Sequence, residues 1–310
     1  MKLTMRLYQT EDDYWRIRAF LREVFLLNGR REVSWQAARF DYWRWHGIEN
    51  MGDGQLDRDV FIWETPDGRI AAVLNREGAG DAHMQVHPGR RTPDLEEEMI
   101  AAAEEHLAAP MPGGRPRLRL WANQHDDLRH AILIRRGYTK GDWPEYQRRR
   151  SLDEPLPEAR PAPGYTVRAL GDVEELPARS WASWRGFHPD EPDEHYAGGD
   201  GDWYRNIQRM PLYRRDLDIV AIAPGGEIAS FCTLWYDDVT RAGYFEPVAT
   251  VPEHRRRGLG RAVMCEAMRR IKRLGATLVT VGGYSPEANA LYASVVSPEY
   301  DLSEPWEREL

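Results

Sequence analysis

Cysteine is almost missing from the 310-residue chain: Cys232 and Cys265 are the only two. That excludes a disulfide framework or a thiolate metal cluster and suits a reducing compartment. No apolar run is long enough to cross a bilayer. The opening Met1-Lys2-Leu3-Thr4-Met5-Arg6-Leu7 alternates charge with apolarity, so it lacks the apolar centre of a signal peptide. A cytoplasmic protein without membrane contact is the expectation. A net positive charge is also lacking. The net charge is −8. Residues 1–150 carry as many basic as acidic side chains, so the excess acid lies in the second half. Such a surface excludes a nucleic-acid grip built on phosphate neutralisation.

What is present suggests two domains. Proline and acid crowd residues 151–163, from Ser151 to Pro163, where no apolar periodicity survives, and this stretch reads as a linker. The same order of elements stands on either side of it. A short strand (Met5 to Tyr8; Tyr165 to Ala169) leads to an aromatic-rich helix (Asp12 to Leu27; Val173 to Phe187). A hairpin follows, Val60 to Leu74 around Pro66-Asp67-Gly68 and Ile219 to Phe231 around Pro224-Gly225-Gly226. Next comes an apolar strand ending in proline and arginines, then a helix, a strand and a last helix. The order predicts a duplicated α+β unit with domains at 1–150 and 164–310, each a mixed, mostly antiparallel sheet flanked by helices.

The chemistry concentrates in Phe245-Glu246-Pro247-Val248-Ala249-Thr250-Val251-Pro252-Glu253-His254-Arg255-Arg256-Arg257-Gly258-Leu259-Gly260-Arg261. Val263, Met264, Ala267, Met268, Ile271 and Leu274 recur at helical spacing after it, so Gly258 and Gly260 fall at a helix N-terminus. Unpaired main-chain N–H groups there, with three arginines beside them, suit a pyrophosphate. A P-loop would need Lys and Ser or Thr where Arg261-Ala262 stands. A dinucleotide fingerprint would need a small residue at Val263 and an acid after the strand Thr277 to Val281.

The stretch Val251 to Gly260 resembles the Arg/Gln-x-x-Gly-x-Gly/Ala signature of the GNAT acetyltransferases. Ser285-Pro286-Glu287-Ala288-Asn289-Ala290-Leu291-Tyr292 resembles the family's second block, although many relatives have Asn where Ser285 stands. Duplication with the better-preserved motif in the C-terminal half resembles the mycothiol-synthase-like arrangement in that superfamily. The resemblance implies an acetyl-CoA-dependent N-acetyltransferase acting on a primary amine of a small molecule or peptide by direct attack, without a metal. It implies cofactor contacts from Ala249, Val251, Arg255, Arg256, Arg257, Gly258, Leu259, Gly260, Arg261, Ser285, Asn289 and Tyr292, with Tyr292 as the proton donor to the departing thiolate. Glu246 is the candidate general base. It reads equally well as a carboxylate paired with an arginine. An acyl-CoA-binding scaffold or sensor without turnover is the alternative function. The acids from Asp190 to Asp202 hint at a cationic acceptor, though a solvated loop explains them too.

In the first half the corresponding loop, His87-Pro88-Gly89-Arg90-Arg91-Thr92-Pro93-Asp94-Leu95-Glu96-Glu97-Glu98, has acids where the glycines would be, and Leu133 takes the tyrosine's place. Acids at a helix start satisfy its dipole and repel an anion, so this domain is expected to be noncatalytic. His83 and His87 lie four apart on a probable strand, too far to share one ion easily, and read as structural.

Overall fold

The computed structural model describes residues 2–110 and 114–310. They form two compact units, Met1–Gln147 with Asp301–Leu310, and Arg148–Tyr300. The sequence reading divided the chain at the linker and kept the last residues with the second half. Pairing of the final strand, Asp301–Glu309, with first-unit residues explains the difference.

The first unit runs β1 (Thr4–Leu7), α1 (Glu11–Leu27), α2 (Ala37–Tyr42), a wide helical turn (Trp43–Ile48), α3 (Leu56–Asp59), β2 (Val60–Glu64), β3 (Ile70–Gly78), β4 (Asp81–Val86), α4 (Pro93–His106), β5 (Arg117–Asn123), α5 (Asp127–Arg135), β6 (Thr139–Lys140) and β7 (Glu145–Ser151), which crosses the division. Its sheet has the order β1-β2-β3-β4-β5 followed by the C-terminal strand. Every neighbouring pair is antiparallel except β4 and β5. Helix α1 forms because Tyr14, Ile17, Leu21 and Val24 recur at three- and four-residue spacing, and all four are buried. Asp13 holds its first turn by accepting from the main-chain N–H of Gln9, 2.9 Å away.

The second unit runs β8 (Thr166–Ala169), α6 (Leu176–Phe187), α7 (Asp202–Gln208), β9 (Asp218–Ile222), β10 (Ile228–Asp237), β11 (Ala242–Thr250), α8 (Leu259–Arg273), β12 (Leu278–Gly283) and α9 (Pro286–Val295). Sheet order is β8-β9-β10-β11-β12, again antiparallel but for one parallel pair, β11 and β12. Helix α8 buries Val263, Met264, Ala267, Met268 and Ile271 against the sheet. Each larger side chain there contributes about 1.5–3 kcal/mol. Helices α6 and α7 are tied to the sheet by a buried polar knot: Arg179 on α6 reaches Asp218 (3.4 Å), which also accepts from Tyr213 (3.1 Å) and from Tyr204 on α7. Both units are therefore α+β, each with a mostly antiparallel sheet and packed helices, as the element order predicted.

Candidate active site

In the second unit, parallel pairing of β11 with β12 lasts for three residues, Ala242 with Leu278 through Tyr244 with Thr280, and then the strands part. A bulge marks the place. Against β10, Phe245 faces Leu234 and Val248 faces Cys232, so Glu246 and Pro247 together oppose Thr233. Beyond the bulge β11 keeps β10 on one edge and has its other edge free.

Which main-chain groups line that free edge follows from the ladder. The Val251 N–H donates to Ala229 O (3.0 Å). Antiparallel pairing alternates, so Ala249 likewise turns its main chain to β10, while Val248 and Thr250 turn theirs outward. The sequence reading chose Ala249 and Val251. One residue of strand parity separates that choice from the strand's free edge.

Past Val251 the chain makes one short turn, Pro252–His254, and enters α8. Arg256 and Gly258 both have left-handed backbone (φ 62° and 74°). At Gly258 this conformation costs nothing because glycine has no Cβ. The first helical bond is Ala262 N–H to Gly258 O (3.0 Å), which leaves the amides of Leu259, Gly260 and Arg261 outside the ladder. Gly260 is needed for packing: a Cβ there would stand 3.0 Å from Leu291 of α9. Residues Arg255 to Gly258 are exposed, so the turn is open.

The three arginines have different tasks. Arg255 donates to Thr250 O and Gly186 O (both 3.2 Å), and Arg257 donates to the Tyr165 hydroxyl (2.8 Å). Both brace the loop. Arg261 is held by Glu158 O and Ser294 O (both 3.0 Å). Arg256 alone of the four has no such bond among the described residues, and its guanidinium is the exposed positive charge at the helix start. The expectation that all of them face an anion is thus corrected to one free charge and three braces.

At the other end of the cleft Tyr292 lies buried on α9, packed so closely over Gly283 that a Cβ there would come within 2.9 Å of the ring. Burial, then the charge of nearby Glu246, holds its hydroxyl far above the usual phenol range, so it stays protonated. Glu246 stands in the β11 bulge and Tyr292 over Gly283 at the end of β12, so both lie at the parting of the strands. Ser285 caps α9 by accepting from the Ala288 N–H (3.1 Å). Asn289 spends its whole amide on structure, donating to Gly283 O (3.1 Å) and Ser285 O (3.0 Å) and accepting from Arg148. It shapes the turn that carries Tyr292, where the sequence reading had it on the cofactor. Of the acids from Asp190 to Asp202, Asp193 lies 3.7 Å from Arg185, and Asp202 pairs with Arg205. Local arginines absorb part of that charge.

The first unit repeats the parting of parallel strands. Only Asp81 with Arg119 and Ala82 with Leu120 pair between β4 and β5. Here the gap is closed from inside. Arg129 of α5 donates to Trp121 O on β5 (3.1 Å) and to Met84 O on β4 (3.5 Å). Glu96, wholly buried in the first turns of α4, clamps that guanidinium (2.9 Å), and Arg91 bridges Glu96 to Asp126 (2.7 Å). Positive charge holds the Glu96 and Asp126 carboxyls below their ordinary values against the cost of burial. Thr92 caps the helix through the Leu95 N–H (3.2 Å), and Leu133 is core. Sequence reading noticed the acids but not this plug. The spacing of Asp126 to Arg129 along one helix face was the available signal. His83 packs between Trp35 and Trp121, and His87 accepts from the Gly89 N–H.

Two sheets that each part between parallel strands, with a helix starting at the parting, make a duplicated α+β fold. Residues 174–295 match the model of the acetyltransferase (GNAT) family. No curated protein matches the chain. Among solved structures it is similar to a GCN5-related N-acetyltransferase from Sphaerobacter thermophilus (18% identity, TM-score 0.65, 99% of this chain and 95% of that one). It is similar also to a tandem GNAT protein from the clavulanic acid biosynthesis pathway (16%, 0.63, 99% and 98%) and to a GNAT-family acetyltransferase from Colwellia psychrerythraea (10%, 0.62, 99% and 100%). The match to the GNAT family lies in the second unit, and the fold of the chain is that of a tandem GNAT protein. No helix among the described residues is long and apolar enough to cross a membrane.

Proposed function

We propose that the second unit is an acetyl-CoA-dependent N-acetyltransferase acting on a primary amine of a small molecule or peptide, and that the first unit is noncatalytic. One observation carries the reading: β11 and β12 part, leaving free strand edge beside unpaired helix amides, with a protonated tyrosine and a carboxylate at the parting. The groups fit the cofactor. Amides of Leu259, Gly260 and Arg261, with Arg256, suit its diphosphate, and the outward main chain of Val248 with the Thr250 N–H suits the amides of its pantetheine arm. When bound, acetyl-CoA supplies an activated acyl group and a thiolate leaving group.

The chain's own residues handle the protons. Tyr292 keeps its hydroxyl proton at every physiological pH and delivers it from Oη to a departing thiolate. Glu246, directly or through water, takes the proton from the acceptor's ammonium so that a neutral amine attacks. Thiol release measured over a panel of amino-sugars, polyamines and peptide N-termini tests the reading. Tyr292→Phe should lower kcat by about 10²–10⁴-fold, the range of general acid catalysis, with little change in KM for acetyl-CoA. Coenzyme A binding with no turnover on any amine would instead indicate a sensor or scaffold.

A further inference from the structure

The β11 bulge leaves main chain that the ladder cannot serve. Glu246 and Pro247 together oppose Thr233 of β10, so one residue is in excess, and Pro247 has no N–H to give. The Glu246 carbonyl is met from the side instead: the indole Nε1 of Trp235 donates to it. Trp235 is fully buried on β10, where it pairs with Tyr244 just before the bulge. A bulge carbonyl and a buried indole N–H each need a partner, and here they satisfy one another.

The indole is itself anchored. Its ring lies 6.1 Å from that of Tyr213, tilted by 57°. The Tyr213 hydroxyl donates to Asp218 (3.1 Å) and accepts from the amide of Gln208 at the end of α7 (2.9 Å). Asp218 also takes Tyr204 of α7 and Arg179 of α6. A chain of contacts thus runs from these helices through Asp218, Tyr213 and Trp235 to the main chain of Glu246. Holding that carbonyl fixes the backbone from which the Glu246 carboxylate springs, and misplacing a catalytic group by about 1 Å costs up to about 10²-fold in rate.

We propose that Trp235 is a positioning residue for the transfer reaction: its N–H holds the bulge so that Glu246 meets the acceptor's ammonium, and the knot beneath α6 and α7 sets where the indole stands. This rests on the acetyltransferase reading above, with Glu246 as its base. Trp235 touches no reacting atom and acts through Glu246 alone.

The test removes only the donor. Benzothienylalanine, a sulfur isostere of tryptophan with the same outline and no N–H, is placed at position 235 of the full chain, with Trp235→Phe beside it, and kcat/KM is followed against pH for an amine that the wild type acetylates. At neutral pH the acceptor is an ammonium that needs its base, so the isostere should be about 10- to 30-fold slower than wild type. Near pH 10 a primary amine is largely neutral already, the base has no proton to take, and the deficit should shrink to about twofold or less. Trp235→Phe should follow the same course from a larger deficit. Acetyl-CoA affinity by calorimetry should stay within about twofold of wild type, because the α8 amides are untouched. An isostere as fast as wild type at neutral pH, or a deficit of equal size at both ends of the range, overturns the positioning role and leaves the acetyltransferase reading standing. A wild type inactive on every amine overturns both.

Discussion

The two units place the same parting of parallel strands under opposite treatment. In the second, α8 begins with glycines, its first amides are unpaired, and α9 brings a tyrosine to the far end of the gap. In the first, α4 begins with acids, and Arg129 bonds the carbonyls of both parted strands. A parting of strands leaves main-chain groups without partners, and a folded protein must satisfy them. One unit satisfies them internally with a charged side chain and gains rigidity. The other leaves them open, and in the proposed reading the cofactor takes them. The comparison teaches that a repeated unit need not leave such a gap open. It can fill it.

The largest expected effect strikes the plug. Glu96→Leu leaves buried Arg129 and half-buried Arg91 beside a single remaining carboxylate, Asp126. Breaking a buried pair on one side costs about 3–5 kcal/mol. Hydrogen exchange should show that loss in Met1–Gln147 and leave α8 and β11 protected; loss in both units alike would break the comparison. Acid sharpens it next. Burial lowers the His46 pKa from 6.5 to about 4, and the Asp13 carboxyl, bonded to Arg6, is lowered from 3.8 to about 2. Both folded values lie below the unfolded ones, so the stabilisation from His46 is complete above pH 6.5 and fades as pH falls toward 4, and that from Asp13 fades between 3.8 and 2. The shifted carboxyls of the second unit, Glu175, Glu253 and Glu266, are not deeply buried. Near-UV circular dichroism and hydrogen exchange at pH 5 should therefore show the first unit loosening before the second. The smallest effect concerns Arg256→Ala, which should weaken coenzyme A by about three- to tenfold and flatten the salt dependence of binding. Arg255→Ala should instead loosen the loop that it braces.

Much of this was legible beforehand. Helix α8 was written in Val263, Met264, Ala267, Met268 and Ile271, and the hairpins in their Pro-Gly turns, because local periodicity and turn chemistry are short-range signals. The parity of β11 was not, since a bulge at Glu246 and Pro247 resets which residues face β10 and nothing in composition reveals it. Nor could sequence tell that Arg255 and Arg257 serve the loop while Arg256 stays free. Those tasks are set by Thr250 O and the Tyr165 hydroxyl, groups that only the folded chain brings near. The plug joins Arg91, Glu96, Asp126 and Arg129 across more than thirty residues, as tertiary pairing does. The return of the C-terminal strand to the first unit is a long-range pairing of the same kind.

The most direct test of the account is the stoichiometry of coenzyme A on the full chain, measured by isothermal titration calorimetry on wild type and Gly258→Val. Valine cannot adopt the left-handed turn at φ 74° without strain and would block the amides. One molecule per chain, with affinity reduced about 100-fold or more in the variant, is the predicted result. No binding, two molecules per chain, or a single site indifferent to Gly258→Val would contradict it.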